Sequence, residues 1–574
     1  MFYKKLAEFY EEASANPSRL KKIEILSKFL KELDEKDKDL LYLILGDIYP
    51  EYDERKIGIS NQLAIKAISK SLGIENSSVV SEWKKLGDLG LVVEKLKQRK
   101  KQSLLSSNIL TVEKVLANLR KLPELEGKGT VEKKLSLIIE LLAVATPVES
   151  KYIVRTLIGD LRIGLKESTI KESMALAFFK DDKKESAKKI QNAIDNSNDI
   201  SLVFEMARKG KLDELKKVSL EVGKPIKVML AQKAKTIHEG FEAVGKPCAI
   251  EYKYDGFRML IHKHGEEVKL FTRRLENVSK QFPEVVGYIK KHVQGKSFIL
   301  DSEAVGYDRK TKVYTSFQNI GQRIRRKYDI EKLREELPVE INVFDILYYE
   351  GKSLLNEPFE KRTELLRKIV KNERYKIMTA KQIISDDEKK TEEFYKNALK
   401  DHQEGIMMKS LNSIYQPGSR VGFMLKIKPE ERDLDLVIVG GEYGTGKRSG
   451  WLSSFILACL DEKTGKFLEI GKVGTGIKEK TSSDSEKGIS FDDLTKKLKP
   501  HFTKEQGKTV QILPKIVVSV TYQEIQHSPT YNSGFAMRFP RFTSLRPDKN
   551  PSDVSTLEEV KKDFENQKRN YRYG

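Results

Sequence analysis

The chain has 574 residues, a length that suggests about three to four domains. Its formal net charge is +21, because 106 Lys and Arg residues outnumber 85 Asp and Glu residues. This excess favours a polyanionic partner such as nucleic acid; the alternative is a basic protein without one. Cys248 and Cys459 form no Cys-x-x-Cys pair, which disfavours a structural zinc site and a disulfide framework. The chain does not begin with a signal-peptide pattern and has no apolar run of membrane length, so we expect a cytoplasmic protein.

The chain up to about residue 220 predicts an all-α region. Apolar side chains recur there at the i, i+3, i+4, i+7 spacing of an amphipathic helix, at Leu26, Phe29, Leu30 and Leu33 and again at Leu135, Ile138, Ile139 and Leu142. Alternating strand patterns are scarce in this region. The polar stretch 181–199 predicts an exposed connection between helices.

From Pro247 the apolar pattern changes to the period of two that is typical of strands. Side chains that could line a site then share one face of each predicted strand: Glu251, Lys253 and Asp255 in 249–255, Asp301 and Glu303 in 298–305, and Met424, Lys426 and Lys428 in 423–428. Strands with one apolar face and one polar face suit an antiparallel sheet that lines a cleft.

The last part of the chain predicts a small β-barrel. Residues 429–433 form a charged, proline-started linker, and apolar runs follow at 434–439, 453–460, 467–473 and 516–522, with glycine turns between them. The segment 441–448 nearly spells a phosphate-binding P-loop. However, Arg448 stands where Ser or Thr would bind magnesium, and the context predicts strand–turn–strand rather than strand–turn–helix. We therefore interpret 441–448 as a glycine-rich turn.

Six segments follow one another in a fixed order: 251–258 (Glu-Tyr-Lys-Tyr-Asp-Gly-Phe-Arg), 271–274 (Phe-Thr-Arg-Arg), 298–303 (Phe-Ile-Leu-Asp-Ser-Glu), 343–346 (Val-Phe-Asp-Ile), 404–409 (Glu-Gly-Ile-Met-Met-Lys) and 424–428 (Met-Leu-Lys-Ile-Lys). Together they resemble the nucleotidyltransferase motifs of ATP-dependent DNA ligases of the archaeal and eukaryotic replicative type, and the resemblance covers nearly the whole chain. It implies a multi-domain α+β protein: an all-α DNA-binding domain at 1–222, an antiparallel α+β adenylation domain at 223–428 and a C-terminal OB-fold β-barrel at 429–574.

The resemblance implies an enzyme that seals 5′-phosphate/3′-hydroxyl nicks in duplex DNA, in replication, repair and recombination. Lys253 would take AMP from ATP as a covalent lysyl-AMP and pass it to the 5′-phosphate, and the 3′-hydroxyl would then displace the AMP. A lysine attacks phosphorus only when it is neutral, and desolvation with neighbouring cations favours the neutral form. Lys426 and Lys428, from another strand of the predicted cleft, are candidates for those cations.

The same resemblance assigns the nucleotide contacts. For Phe344 the open alternative is core packing, and for any one arginine in so basic a chain it is a solvated or DNA-facing charge. Asp548, between two of these residues, completes the last motif of the family. The implied contacts are Glu251 and Phe344 with adenine, Arg258, Arg273 and Arg420 with the ribose and phosphates, Lys426 and Lys428 with the α-phosphate, and Arg546 and Lys549 with the β- and γ-phosphates.

Phosphoryl transfer depends on positioning and charge neutralisation, so a magnesium ion is expected, with Mn²⁺ as a substitute. Magnesium prefers a few carboxylates together with water and phosphate oxygens. Glu303 and Glu404 match the family's acidic positions at the ribose and the metal. Asp301, on the predicted face of Glu303, is a candidate to support them. The seven histidines fit no metal pattern, and His262 and His264 are expected at the surface.

Nicked double-stranded DNA is the expected partner of a monomeric enzyme. The segment 154–165 resembles part of the family's DNA-binding domain, where Arg155, Arg162 and backbone amides could grip phosphates without reading bases. Gln102, Ser103, Leu104 and Leu105 stand where related ligases carry a loop that binds a sliding clamp; a plain exposed loop is the alternative.

Two other functions remain open at this point. An RNA ligase or an mRNA-capping guanylyltransferase would share the lysine motif and the OB domain, but the long helical region and Glu251 favour DNA and adenine. A non-catalytic DNA-binding scaffold would show a degraded site, whereas every motif residue is present.

Overall fold

The computed structural model describes residues 1–99, 109–125, 127, 129–179, 183–210, 212–215, 218–315, 320–321, 323–324, 326, 329–429, 432–445, 448, 450–479 and 489–570. The chain divides into two compact units: Met1–Val79 with Leu89–Lys428, and Val80–Asp88 with Pro429–Gly574. Within the described residues, no helix is both long enough and apolar enough to cross a membrane.

Helices dominate the first 215 residues, and this confirms the all-α prediction. Polar side chains cap the starts of several of them: at α9 the Thr146 hydroxyl accepts a bond from the Glu149 amide, and the Glu149 carboxylate accepts one from the Thr146 amide. The helices are α1 (Tyr3–Ala15), α2 (Arg19–Glu32), α3 (Leu40–Leu45), α4 (Asn61–Leu72), α5 (Asn76–Leu86), α6 (Leu89–Arg99), α7 (Val112–Lys121), α8 (Thr130–Val144), α9 (Pro147–Leu157), α10 (Glu167–Phe178), α11 (Lys183–Ser197), α12 (Ile200–Arg208) and α13 (Leu212–Leu215).

The expected connection at 181–199 is wrong, because most of it is helix α11. Ile190, Ala193 and Ile194 recur at helical spacing and are buried. Their apolar stripe packs inward while the lysines and carboxylates of the segment cover the outer face. The high polarity of the segment hid this short stripe.

After the helical region, the first compact unit contains two β-sheets. Their strands are β1 (Leu230–Lys233), β2 (Cys248–Lys253), β3 (Phe257–His264), β4 (Glu267–Thr272), β5 (Ser297–Tyr307), β6 (Tyr314–Thr315), β7 (Val339–Tyr349), β8 (Lys352–Ser353), β9 (Ile377–Thr379), β10 (Gln382–Ser385), β11 (Gly405–Ser410) and β12 (Arg420–Ile427). Between them lie α14 (Ile237–Val244), α15 (Pro283–His292), α16 (Ile330–Glu336), α17 (Phe359–Ile369) and α18 (Glu388–Lys400).

The first sheet has the strand order β1-β12-β11-β2-β10, and the second has β4-β3-β5-β7-β8 with β6 beside β5 and β9 beside β7. Most neighbours are antiparallel, as predicted, whereas β1–β12 and β7–β9 are parallel. One buried cluster joins the sheets, with Leu260 and Leu347 from the second sheet and Met424 from the first. The sheets therefore pack on each other, so residues of both can line one cleft.

The second unit is rich in β-structure, as predicted. It contains β13 (Arg432–Tyr443), β14 (Leu452–Asp461), β15 (Lys466–Val473), β16 (Phe502–Gln506), β17 (Thr509–Ile512), β18 (Val517–Tyr522), β19 (Glu524–His527), β20 (Phe535–Arg538) and β21 (Arg541–Leu545), with α19 (Phe491–Leu498) and α20 (Leu557–Asn570). Its main sheet has the order β15-β14-β13-β17-β16, and β18 pairs with both β13 and β21. β13 begins at Arg432, so the last two residues of the expected linker 429–433 belong to a strand.

Both cysteines are buried in cores. Cys248 lies in β2 and Cys459 in β14, and neither has measurable exposure. Burial raises the pKa of the Cys248 thiol to about 12 and that of the Cys459 thiol to about 11. These thiols therefore act as small apolar side chains.

Candidate active site

Lys253 ends β2, and its position follows from the pairing of β2 with β11. The register places Lys253 opposite Gly405, and the Glu404 amide donates to the Lys253 carbonyl at 2.8 Å. Gly405 has a φ of +141°, and a Cβ there would lie 2.2 Å from the Ile427 carbonyl oxygen. Only glycine fits this crowded turn, which holds the Glu404 side chain beside Lys253.

Two lysines contact the Glu404 carboxylate, and the charge of a third, Lys426, lies near it. The Lys253 Nζ lies 2.5 Å from Glu404 Oε2, and the Lys428 ammonium contacts the same oxygen. Burial opposes the charge on Glu404, but the ammonium groups of Lys253 and Lys428 outweigh it and hold the pKa of the carboxyl well below its usual range. Burial, helped by Lys253 and Lys428, lowers the pKa of Lys426. The pocket therefore concentrates positive charge on one ionised carboxylate.

Glu303 reaches the same pocket from the second sheet. β5 places Glu303 opposite Arg258 of β3, and a Cβ on Gly256 would lie 2.2 Å from the Ala304 carbonyl oxygen. This close approach brings the turn after Lys253 against β5. Burial raises the pKa of Glu303 to about 8, although the charges of Lys253 and Arg258 oppose the shift. Glu303 is half-buried and lies near the charges of Lys253 and Arg258.

Glu251 is held on both sides by side chains of neighbouring strands. Lys409 of β11 places its Nζ 2.6 Å from Glu251 Oε2, and the Gln382 amide of β10 donates to Glu251 Oε1 at 2.8 Å. Phe344 of β7 is half-buried, and the Lys409 ammonium lies 4.8 Å from its ring centre. The predicted residues Glu251 and Phe344 thus meet around a lysine that the sequence did not single out.

Arg258 belongs to a buried polar network. Its guanidinium binds the Asp301 carboxylate at 2.8 and 2.5 Å, and it donates to the Met229 carbonyl at 2.6 Å. The Tyr415 hydroxyl donates to Asp301 at 2.7 Å. Asp301 therefore positions the Arg258 guanidinium. It was expected to support Glu303 and Glu404, but its carboxylate pairs with Arg258 instead. The Arg258 guanidinium also lies 5.3 Å from the Phe344 ring centre.

The other predicted arginines are exposed. Arg273 and Arg274 follow β4, which ends at Thr272, and both lie in a turn. Arg420 is exposed at the start of β12 and donates to the Ala231 carbonyl at 2.8 Å. Its charge contributes to the lowered pKa of Lys426, so it lies near the lysine cluster.

Arg546 and Lys549 meet within the second unit. Both place a nitrogen 2.7 Å from Oδ2 of Asp435, and Arg546 also contacts Asp548 at 2.7 Å. Asp435 therefore gathers the two cations of the last motif. Sequence reasoning missed Asp435, which lies more than 100 positions earlier on β13.

Among the residues considered for DNA contact, Arg155 is only 7% exposed and lies against the backbone of α6 at Gly90. Its expected phosphate contact does not fit this buried position. Arg162 is partly exposed and pairs with Asp160 at 2.7 Å. Gln102, Ser103, Leu104 and Leu105 lie outside the described residues.

Lys409, Gln382 and Tyr415 are the residues that sequence reasoning missed in this site. Period-two alternation on β11 puts Lys409 on the face of Gly405 and Met407, so this signal could have identified it. Gln382 comes from a segment that carried no motif, whereas Tyr415 begins the segment 415–420 that ends in Arg420 and was given no role of its own. In the described ranges, no group of three or more His, Cys, Asp and Glu side chains could hold a metal ion.

Comparisons with known proteins cover most of the chain. The family model for the DNA ligase N terminus matches residues 1–175, the ATP dependent DNA ligase domain matches 228–428, and the ATP dependent DNA ligase C terminal region matches 448–549. A solved structure named "Pmar-Lig_Pre." has a TM-score of 0.60 at 19% identity, and the match covers 95% of this chain and 99% of that one. At this identity the likeness supports the fold alone.

Relatives named DNA ligase are similar along almost their full length. The protein of Nanoarchaeum equitans is 44% identical over 568 residues, with 99% of each chain covered. The protein of Methanopyrus kandleri is 40% identical, with 98% of this chain and 99% of the relative covered, and that of Thermococcus onnurineus is 39% identical, with 99% of each covered. These matches do not favour an RNA ligase or a capping enzyme. The chain belongs to the ATP-dependent DNA ligases, and to their archaeal type.

Proposed function

We propose that this ligase seals nicks through a covalent AMP on Lys253. The observation that carries the proposal is the cluster in which Lys253 and Lys428 contact one oxygen of Glu404 while Lys426 adds a third cation. Burial and the neighbouring ammonium groups lower the pKa of Lys426 and of Lys428. A neutral Lys253 is the nucleophile that attack on a phosphorus atom requires.

The first step joins the Lys253 Nζ to the α-phosphorus of ATP and breaks the bond to pyrophosphate, while Nζ loses its proton. Lys426 and Lys428 hold the charge that develops on the α-phosphate oxygens, which fixed cations stabilise in a desolvated site. In the second step an oxygen of the 5′-phosphate attacks the phosphorus of the lysyl-AMP, and the bond to the Lys253 Nζ breaks as Nζ takes up a proton. The 3′-hydroxyl then attacks that phosphate and AMP leaves.

The nucleotide would lie along the cleft between the two sheets. Glu251 receives the adenine amino group, Phe344 stacks on the base, and Arg258, held by Asp301, faces the ribose and phosphates. Arg273 and Arg420 at the rim supply further positive charge to the phosphates. The placement of Glu251 and Phe344 around Lys409, and of Arg258 beside Phe344, supports this orientation.

A divalent metal fits the acidic pair Glu303 and Glu404. Burial and, to a smaller extent, the charge of Glu404 raise the pKa of Glu303, so the two carboxyl groups lie in one pocket. Two carboxylates with phosphate oxygens and water make the ligand set that Mg²⁺ prefers, and Mn²⁺ accepts a similar set. When bound, the metal would neutralise phosphate charge.

Arg546 and Lys549 would serve the reaction with ATP rather than the final sealing step. Their shared contact with Asp435 keeps two cations together at one place in the second unit. A paired cation is the kind of group that stabilises charge on a leaving pyrophosphate.

We also propose where the domains divide. The DNA-binding domain would end near residue 222, and the adenylation domain would end near residue 428, where the C-terminal domain begins. We propose further that the enzyme is monomeric and cytoplasmic.

A sliding clamp is a further proposed partner, through Gln102, Ser103, Leu104 and Leu105. Two adjacent leucines after a basic stretch suit a hydrophobic groove, since buried anchors carry most of the energy of such contacts. Leu104→Ala with Leu105→Ala should abolish clamp-stimulated ligation and leave clamp-free ligation unchanged. A double variant that the clamp still stimulates would remove this proposal.

The test of the proposed reaction combines a labelling assay with a sealing assay. Protein incubated with α-labelled ATP should retain the label, and adding nicked duplex should discharge it as sealed product forms. Repeating both assays with ADP, NAD and GTP would establish the nucleotide preference. Label that stays on the protein when nicked DNA is added would contradict the proposal.

A further inference from the structure

Two side chains without a role in the proposed reaction, the buried Lys409 and the half-buried Gln382, contact the buried Glu251. The Lys409 and Glu251 side chains are 5% and 2% exposed, and their charged atoms lie 2.6 Å apart. Gln382 Nε2 donates to the other carboxylate oxygen of Glu251 at 2.8 Å. Each oxygen of Glu251 therefore has one donor, and the two donors come from the two strands that flank β2.

The sheet register explains why these three side chains meet. Gln382 stands directly opposite Glu251 in the β10–β2 pair. Met407 stands opposite Glu251 in the β11–β2 pair, and Lys409 follows two residues later on the same face of β11. Diagonal neighbours at that offset lie within reach of a long side chain. The contacts are thus fixed by the pairing and do not depend on a flexible loop.

Aromatic rings hold the lysine in place. The Lys409 ammonium lies 4.8 Å from the ring centre of Phe344 and 4.6 Å from that of Phe359. Both separations are within the range of a cation–π contact. Lys409 is thereby restricted to a position between the rings and the Glu251 carboxylate.

A buried ion pair of this kind is seldom needed for stability, because well-packed apolar residues often replace it without loss. Its presence beside the proposed base pocket therefore invites a functional explanation. A carboxylate has about four lone-pair positions, and Gln382 and Lys409 use one on each oxygen. An ionised carboxylate has no proton to donate, so the remaining lone pairs of Glu251 can accept hydrogen bonds from a ligand.

We propose that Lys409 and Gln382 are positioning residues that set base specificity, by holding Glu251 as an ionised acceptor for the 6-amino group of adenine. The inference rests on the proposed contact between Glu251 and that amino group. Adenine presents a donor at position 6, whereas guanine presents an acceptor that would face the carboxylate oxygen. A purine without a group at position 6 would leave the acceptor unpaired.

The experiment compares the formation of the covalent enzyme–nucleotide from ATP, GTP and purine riboside triphosphate, which lacks the 6-amino group. We would measure kcat/KM for the full chain and for Lys409→Met and Gln382→Met. In each variant the preference for ATP over the amino-free analogue should fall about tenfold, the size expected when one hydrogen bond to a charged group is lost. Lys409→Arg should keep most of the preference, because it retains the charge.

Arg323→Met is the matched control. Arg323 is also a buried cation, 1% exposed, which pairs with Glu284 at 2.7 Å and lies 4.2 Å from the Phe282 ring centre. Its loss should lower stability while leaving the ratio of ATP to analogue unchanged. Gln382→Met removes no charge, so it provides the test even if Lys409→Met does not fold.

The outcomes separate this inference from the proposed function. If Glu251→Ala retains the wild-type preference for ATP over the analogue, the proposed contact of Glu251 with adenine is wrong. If Glu251→Ala loses the preference while folded Gln382→Met and Lys409→Met keep it, the contact stands and the roles of Lys409 and Gln382 are overturned. Loss of the preference in all three, with Arg323→Met unchanged, supports the inference.

Discussion

Lys253 and Glu404 are joined twice, once through the backbone and once through their side chains. The Glu404 amide donates to the Lys253 carbonyl at 2.8 Å, and the Lys253 ammonium lies 2.5 Å from the Glu404 carboxylate. The backbone bond anchors the turn that carries Glu404 to the end of β2. The carboxylate is therefore kept beside the proposed nucleophile by the sheet itself, and does not rely on an exposed ion pair.

Replacing Lys253 tests the nucleophile. Lys253→Ala should abolish retention of α-labelled ATP and sealing from ATP, because no other group takes its place at the end of β2. The variant should keep part of its activity on pre-adenylated nicked DNA, since that step needs the pocket but not the nucleophile. Lys368→Ala, an exposed lysine paired with Glu364, is the control and should label normally. Label that persists in Lys253→Ala would reject the assignment.

Replacing Glu404 tests the acidic pair. Glu404→Gln keeps the shape and removes the charge that Lys253 and Lys428 share. We expect sealing to fall by a factor on the order of 10² or more, since removal of such charge stabilisation costs several kcal/mol. Single-turnover sealing at saturating Mg²⁺ measures this, with Glu364→Gln as a control. Near-normal activity would exclude a metal or charge role.

Arg546 and Lys549 offer a prediction that separates the steps. The double variant Arg546→Ala with Lys549→Ala should slow labelling from ATP more than sealing of pre-adenylated DNA, because only the first step releases pyrophosphate. Lys463→Ala with Lys561→Ala removes two exposed cations that pair with Glu558 in the same unit and should affect neither step. Equal losses in both assays would point to general stability or to DNA contact.

His262 predicts a pH dependence of stability. Its Nδ1 accepts a bond from the Gly223 amide at 3.0 Å, and burial, with a smaller effect of Lys269, lowers its pKa from 6.5 to about 3. The unfolded chain therefore binds a proton more readily between these values. The contribution of the neutral His262 to the free energy of unfolding is fully present above pH 6.5 and is lost as the pH falls towards 3. By pH 5 the loss should be on the order of 2 kcal/mol.

Urea unfolding at pH 7 and pH 5 measures this effect. The stability of wild type relative to His262→Gln should decrease on acidification, because the variant has no proton to take up. His264→Gln replaces the exposed histidine two residues later on the same strand and should show the wild-type response. A stability difference between wild type and His262→Gln that is the same at both pH values would mean that His262 does not titrate in this way.

Binding of the full chain to nicked duplex should weaken steeply with salt. The net charge of +21 favours contacts with phosphates, which release counterions when they are neutralised. A plot of the logarithm of the association constant against the logarithm of the salt concentration should be linear with a large negative slope. The slope should be similar for nicked duplexes of different sequence. A flat plot, or affinities that differ strongly between sequences, would argue for base recognition instead.

Much of the site followed from local pattern. The period of two placed Glu251 and Lys253 on one face of β2, and the polar alternation in β12 placed Lys426 and Lys428 together. These features depend on strand geometry alone. The pairing of Glu251 with Lys409 could not follow in the same way, because it depends on which strands neighbour β2.

The errors have the same physical origin. His262 alternates with His264 along β3, so its pattern resembled a solvated face, yet packing of Phe271 and the segment at Gly223 buries it. Segment α11 has mostly polar residues, and only its contacts with other helices reveal the buried stripe. Tertiary packing decided each of these cases.

The burial of Cys248 and Cys459 makes this ligase convenient for site-specific labelling. The raised pKa of both thiols leaves almost no thiolate at neutral pH, and neither sulfur is open to a reagent. A cysteine introduced at an exposed position would then be the preferred target of a maleimide dye, without prior removal of the native pair. Two such positions, one in each compact unit, would allow energy-transfer measurements through the catalytic cycle on an otherwise unaltered chain.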